Sequence, residues 1–263
     1  MLLYYFALFI LGTLIGSFLN VVIYRFQTGK GLGGRSMCMS CGKTLHWYEL
    51  LPIVSFVIQH RRCTKCKSKI AWQYPIVEAI TGLVFVALAA KYYMPGATLW
   101  QFLAPLLFAV FCMCLLIVIS VYDLKHMIIP NRLCYLFIAL TFLNLFISPA
   151  GITVPELWHL LGGILLPLPF FLLWYFSDGK LMGFGDIKLM IGIGFLLGIA
   201  MGIAALMIAF WSGALVAIVL LFFRKKRYTM KSEVPFGPFL VLGTFIMYAF
   251  GTCLVQLFPY FSL

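Results

Sequence analysis

Residues 97–123 read ATLWQFLAPLLFAVFCMCLLIVISVYD: 26 uncharged positions from Ala97 to Tyr122, then an aspartate. As a helix the uncharged run is about 39 Å long, enough to cross a hydrocarbon core of about 30 Å. Lipid offers the backbone no hydrogen bonds, so a segment of this kind spans as a helix. A second aspartate, Asp186, lies in Gly183-Phe184-Gly185-Asp186, just before another apolar run. The chain has only seven carboxylates. One at each of two membrane boundaries points to a paired-carboxylate catalyst, because ionisable groups are costly there.

The rest of the composition agrees with a membrane class. The chain is 64% hydrophobic and 10% charged, with mean hydropathy +1.08. A soluble domain is nearer half apolar and a quarter charged. Residues 1–24 lack a basic n-region and a small-residue cleavage site, and are read as a retained helix rather than a signal peptide. The net charge of +12 first suggests nucleic acid. However, nine of 19 basic residues fall between Arg25 and Lys69 and five between Arg224 and Lys231. That clustering is a positive-inside signal, and no nucleic-acid partner is expected.

The fold class expected is all-α: a polytopic bundle of about eight membrane helices with a small zinc-bound cytoplasmic domain. Spans are placed at about 2–24, 75–94, 98–122, 131–148, 157–176, 187–203, 205–223 and 237–258. With the N-terminus outside, 18 of 19 basic residues lie inside or at inner boundaries, leaving Lys91 outside. Residues 189–223 form 35 uncharged positions. One straight helix of that length would reach about 52 Å, so two short spans turning near Gly198 to Gly202 are expected. Glycines 192, 194, 198 and 202 would allow close helix packing there.

Residues 25–73 are the soluble-looking segment, too small for a robust core of their own. They carry Cys38-x-x-Cys41 and Cys63-x-x-Cys66, 21 residues apart. Four thiolates on two knuckles can close a tetrahedral zinc site with no open position for catalysis. A structural Zn²⁺ is therefore the first reading, with a redox pair and unligated thiols as the others. Cys112, Cys114, Cys134 and Cys253 lie in apolar runs and read as core.

Two nearby carboxylates can share a proton. One then acts as base toward water while the other, protonated, polarises a peptide carbonyl. The residues alone also allow a transporter using the carboxylates as proton or cation sites, or a noncatalytic scaffold with a zinc knuckle. The four histidines lack HExxH spacing and no GxSxG element is present, which disfavours a zinc protease and that serine-hydrolase arrangement.

Several motifs together narrow this choice. Gly183-Phe184-Gly185-Asp186-Ile187-Lys188-Leu189 resembles the GxGD motif of type IV prepilin peptidases. Tyr122-Asp123 followed by Ile129-Pro130-Asn131 resembles their other aspartate segment. The run Gly16 to Arg25, the paired Cys-x-x-Cys, Tyr74-Pro75-x-x-Glu78 with Thr81-Gly82, and Pro235-Phe236-Gly237-Pro238-Phe239 follow in the family's order.

The resemblance implies an intramembrane aspartic endopeptidase that removes the basic leader of prepilins or pseudopilins on the cytoplasmic side of the bacterial inner membrane. Many members then methylate the new N-terminus with S-adenosylmethionine. It carries the catalytic pair to Asp123 and Asp186 and the zinc ligands to Cys38, Cys41, Cys63 and Cys66. Gly183, Gly185 and Lys188 become supporting residues. Glu78 is a candidate for a substrate or methyltransferase site; its plain reading is a first-turn carboxylate suiting the helix dipole. Lys188 either tunes the carboxylate or snorkels to the interface, and Asp178 is expected to be solvated. The parts are then a first transmembrane helix (1–24), a cytoplasmic zinc-binding domain (25–73) and a transmembrane aspartic peptidase domain (74–263). The expected partners are the prepilin substrate and the lipid bilayer. One departure bears on methyl transfer and not on cleavage: the family often has glycine two positions before the third cysteine, where this chain has Arg61. A peptidase without methyltransferase activity, and a carboxylate-based proton or cation transporter, remain the alternatives.

Overall fold

The computed structural model describes residues 2–26, 31, 33–93, 95–96, 98–148, 151–152, 154–180, 182–222 and 235–257. The basic run Arg224 to Arg227, with Lys231, lies outside these residues. Nine α-helices are present among the described residues: α1 Leu2–Arg25, α2 Val54–Ile58, α3 Gln73–Tyr92, α4 Leu99–His126, α5 Asn131–Asn144, α6 Leu157–Leu165, α7 Leu168–Phe176, α8 Phe184–Phe222 and α9 Gly237–Leu257. A two-residue antiparallel hairpin, β1 Ile147–Ser148 and β2 Gly151–Ile152, follows α5.

Among the described residues, five stretches are long and apolar enough to cross a membrane: α1, α3, α4, the α6–α7 stretch 157–176, and 184–220 within α8. The described part of α9, Gly237–Gly251, is a shorter apolar helix. The span expected at 131–148 is cut short. Here α5 ends at Asn144 and the chain enters the hairpin, leaving 14 residues or about 21 Å of helix.

The chain divides into two compact units. The first comprises Met1–Ala97 and Leu106–Val118. Within it α1 packs along α3, and the small residues of α1 make this possible. A Cβ at Gly12 would sit 2.7 Å from the Gly82 Cα, and one at Gly16 2.8 Å from the Glu78 Cα. Such close backbone approach is how helices associate in lipid, where apolar burial gives no driving force. Asn20 Nδ2 donates to the Tyr74 carbonyl (3.2 Å) and Asn20 Oδ1 accepts from Gln73 Nε2 (3.4 Å), tying the ends of the pair.

The second unit comprises Thr98–Pro105 and Ile119–Leu263. Helix α8 is its centre, packed by α5, α6 and α9. Its helical run is interrupted at Gly198 (φ 73°, ψ −175°), the first glycine of the expected turn. A residue at that φ/ψ breaks the hydrogen bonds passing over it, so carbonyls one turn upstream lose their donors. His159 of α6 supplies one: its Nδ1 donates to the Phe195 carbonyl at 3.1 Å. The other glycines do allow close contacts. Gly192 faces the Phe137 ring, Gly194 meets the Gly162 carbonyl and Gly202 faces Leu166.

Candidate active site and metal centre

Asp123 lies near the C-terminal end of α4 and is only 5% exposed. The helix continues to His126 and ends at Met127 in the left-handed conformation (φ 53°), whose N–H donates to the Asp123 carbonyl at 2.8 Å. The chain then runs extended through Ile129 and Pro130 into α5. Pro130 disfavours helix at the preceding residue, which separates α5 from α4.

Asp186 occupies the first turn of α8, its N–H bonded to the Gly183 carbonyl at 3.2 Å. Gly185 sets how closely this turn approaches the α4–α5 connection. A Cβ there would lie 2.9 Å from the Ile129 Cβ. The resulting arrangement lets the Asp123 and Asp186 carboxylates interact electrostatically. Asp186 Oδ1 is buried with no hydrogen-bond partner among the described residues. Buried polar atoms are nearly always paired, so this oxygen is an acceptor left for a proton, a water or a substrate. A Cβ at Gly183 would be 3.5 Å from Asp186 Oδ2, an ordinary contact, so that glycine leaves room beside the carboxylate rather than touching it.

Two further groups near the aspartates were not singled out from sequence. The backbone N–H of Gly237, at the start of α9, donates to the Asp123 carboxylate. A Cβ at that position would stand 2.6 Å from Asp123 Oδ2, too close for any side chain. Asn131 Oδ1 accepts from Lys188 Nζ at 2.7 Å, and the same ammonium lies over the Tyr135 and Phe184 rings. Lys188 is thus committed to the α5 start. Both residues sit in segments already quoted for their motifs, Pro235 to Phe239 and Ile129 to Asn131. Asp178 is exposed at the turn between α7 and α8, as expected.

In the first unit the four cysteine sulfurs of the paired motif lie within 4.8 Å of one another. Cys38 Sγ and Cys66 Sγ are 3.8 Å apart, close to the separation of about 3.8 Å that tetrahedral Zn–S bonds of about 2.3 Å require. Two matching turns build the cluster. Cys38 N–H bonds the Lys43 carbonyl and Gly42 N–H the Cys38 carbonyl; Cys63 N–H bonds the Ser68 carbonyl and Lys67 N–H the Cys63 carbonyl. Each turn needs one left-handed residue, Gly42 (φ 68°) in the first and Lys67 (φ 58°) in the second. The N–H groups of Ser40 and Cys41 hold the Cys38 thiol down to about 6, which favours the thiolate a metal needs. This four-sulfur cluster could hold a zinc ion. Cys112, Cys114 and Cys134 are buried; the Cys253 side chain lies outside the described set.

Glu78 differs from its plain reading. Since α3 begins at Gln73, this residue is past the first turn, and it is 7% exposed. Its Oε2 accepts the Ile53 N–H at 2.8 Å, and Ser17 also bonds it. Ile53 has φ 60°, a conformation a β-branched residue rarely adopts. The buried carboxylate thus holds a strained residue of the cysteine-bearing segment against α3. Arg61 also sits in the left-handed region, at φ 59°. Its Nε donates to the Ile70 carbonyl (3.1 Å) and its guanidinium lies 5.3 Å from the Trp72 ring centre. The backbone shape that a glycine would adopt freely is therefore kept, with the arginine held down against the domain.

Residues 10–92 match the model of the bacterial peptidase A24 N-terminal domain, and residues 110–218 match the type IV leader peptidase family. The prepilin leader peptidase/N-methyltransferase of Bacillus subtilis (strain 168) is 31% identical over 254 residues, covering 95% of this chain and 96% of the relative. The chain belongs to the type IV leader peptidase family. The prepilin leader peptidase/N-methyltransferase of Vibrio cholerae serotype O1 is 32% identical over 252 residues, covering 91% of this chain and 94% of the relative. That of Pectobacterium carotovorum is 30% identical, covering 90% of each. No solved structure matches the chain. Of the two family models, the leader peptidase model spans both Asp123 and Asp186, and the N-terminal one spans the four cysteines and Glu78.

Proposed function

We propose that this leader peptidase family member is an intramembrane aspartic endopeptidase. It removes the leader of type IV prepilins or pseudopilins and then methylates the new N-terminus. The observation that carries the reading is the electrostatic interaction of Asp123 with Asp186, whose Oδ1 is buried with no hydrogen-bond partner among the described residues. In the proposed reaction one carboxylate takes a proton from a water, which attacks the scissile carbonyl carbon. The other carboxylic acid donates its proton toward the carbonyl oxygen. Collapse breaks the C–N bond, and the leaving nitrogen takes a proton to become the new amine. Gly237 orients Asp123 through its N–H, Gly183 and Gly185 shape the approach, and Lys188 fixes the α5 start through Asn131.

The cysteine cluster is proposed to hold a structural Zn²⁺ that folds residues 25–73. The clustering of basic residues supports placing that segment and both aspartates on the cytoplasmic face of a bacterial inner membrane. S-adenosylmethionine would supply an electrophilic methyl group for the second step. A peptidase without that step is favoured by one observation, Arg61 at the glycine position. Against it, the backbone there keeps the left-handed form.

The test is purified chain with a prepilin, read by mass spectrometry with and without S-adenosylmethionine. A shortened product gaining one methyl only with the donor supports both activities; complete cleavage without methyl gain leaves a peptidase alone. Asp123→Asn and Asp186→Asn should each lower cleavage by about a thousandfold or more while inserting normally. Near wild-type turnover in either would remove the dyad assignment, and carboxylate-dependent ion uptake in liposomes would favour the transporter.

A further inference from the structure

The cysteine-bearing segment enters from the end of α1 and leaves into the start of α3, two apolar helices packed side by side. Both of its ends are therefore anchored at one end of a candidate spanning pair, beside the bilayer surface. What it shows on its outside is unusual for so small a domain. Val54, Val57 and Ile58 of α2 are 51%, 65% and 69% exposed, and Trp47 is 77% exposed.

This apolar face continues into an exposed apolar side of α3. Trp72, Ile76, Ile80 and Leu83 are all exposed and fall at spacings of four, four and three, one stripe of a helix. The Phe56 ring of α2 lies 5.1 Å from Trp72, joining α2 to the head of that stripe. Tryptophan at such a position marks the membrane–water interface.

Cations border the same face. Ile58, His60, Arg62, Thr64 and Lys67 line one cleft with Gln59. Arg62 and Lys67 are exposed, and among the described residues no ion pair engages either. Glu49 is the one carboxylate in residues 25–73. It is buried and bound to Lys43 at 2.8 Å, so no acidic side chain of the segment offsets the outer charge.

We propose that this face binds the anionic phospholipid surface of the bilayer that α1 and α3 enter. Val54, Val57, Ile58 and Trp47 lie in the headgroup–acyl boundary, and Arg62 and Lys67 hold anionic headgroups at the cleft. An amphipathic element with apolar groups beside basic ones binds in this manner. Headgroups seated there also neutralise the basic face, which otherwise repels a basic leader.

The test uses the full zinc-bound chain in nanodiscs of phosphatidylcholine, with and without phosphatidylglycerol, and reads hydrogen exchange over residues 54–67. Phosphatidylglycerol should slow exchange at 54–58, and salt should reverse the effect. Each basic side chain near such a surface strengthens association about fivefold, so Arg62→Gln with Lys67→Gln should erase most of the difference. Equal exchange in the two lipids for the wild-type chain overturns the proposal. Protection that appears only when a prepilin is added overturns it as well, making this a substrate-docking face instead. The wild-type comparison is decisive by itself, so a variant that lost its zinc would not rescue or sink the idea. Neither readout depends on cleavage, so a catalytically dead chain gives the same answer.

Discussion

Asp123 owes its setting to a glycine more than a hundred positions away. The Gly237 N–H bonds the carboxylate, and the missing side chain is what lets it do so. Gly237→Ala keeps the N–H but places a methyl where Asp123 Oδ2 now lies. A displacement of about 1 Å at a reacting group can cost a hundredfold, so cleavage should fall by about that factor with little loss of folding. A product time course at wild-type rate would show that α9 does not position this carboxylate. Glu78 makes the opposite kind of case, a buried acid whose visible work is structural. Glu78→Gln retains an oxygen for the Ile53 N–H and should cost little stability. Glu78→Leu leaves that N–H unpaired and should cost about 1–3 kcal/mol. Equal unfolding midpoints for the two variants would refute the positioning role. Loss of methyl transfer in Glu78→Gln, with cleavage and stability intact, would instead assign the carboxylate to the second reaction.

At the scale of elements, α8 is the informative one. Its run of uncharged residues is far longer than a bilayer needs, and the break at Gly198 divides it. That break costs hydrogen bonds, and the neighbouring helix α6 makes one of them good through His159. His159→Phe should destabilise the bundle by about 1 kcal/mol, because the Phe195 carbonyl then loses its donor in a setting poor in water. Denaturant titration of the purified protein checks this, and an unchanged midpoint would mean that another group serves the carbonyl. The α4–α5 connection works similarly at the proposed active site. Met127 ends α4, Pro130 keeps Ile129 extended, and Gly185 lets α8 lie against that residue. Three separate local signals thereby bring two aspartates together.

For the molecule as a whole, the metal is expected to decide the folding of residues 25–73 and little else. Stripping zinc with a strong chelator should raise hydrogen exchange across 36–70 while α3, α4 and α8 stay protected. Unchanged exchange over 36–70 would show that the four thiols hold no essential metal. Acid gives a second view of the same segment. Glu49 is held down to about 2, chiefly by the Lys43 ammonium, then by the Thr64 hydroxyl and the His46 N–H. A carboxyl depressed in the folded state stabilises fully above its ordinary value near about 4.3, and that contribution vanishes only as the pH falls through about 2. Loosening above about pH 4.3 is therefore predicted to come from protonation of the four cysteines proposed to hold the metal. Glu49→Gln should lower stability at neutral pH and leave the acid midpoint of zinc release where it was.

Much of this protein was legible without coordinates, because the membrane imposes simple rules on a sequence. Long uncharged runs must be helices, basic clusters mark one face, and an aspartate beside such a run is costly enough to be noticed. The pairs Cys38–Cys41 and Cys63–Cys66 also announce themselves, since metal geometry demands short knuckles. The extent of α5 was not legible. Its apolar pattern runs on to Ser148, with the turn-type residues Pro149 and Gly151 only beyond it, but the chain leaves the helix at Asn144 for a hairpin. Nor were the Gly237–Asp123 and Lys188–Asn131 bonds, the Ile53–Glu78 clamp or the His159–Phe195 bond. Each joins residues remote in the chain, and hydrophobic periodicity carries no information about which polar groups will meet. Residue chemistry and bilayer thickness determined the elements and the candidate groups; only tertiary packing decided how their hydrogen bonds are shared, because that depends on how closely separate helices approach.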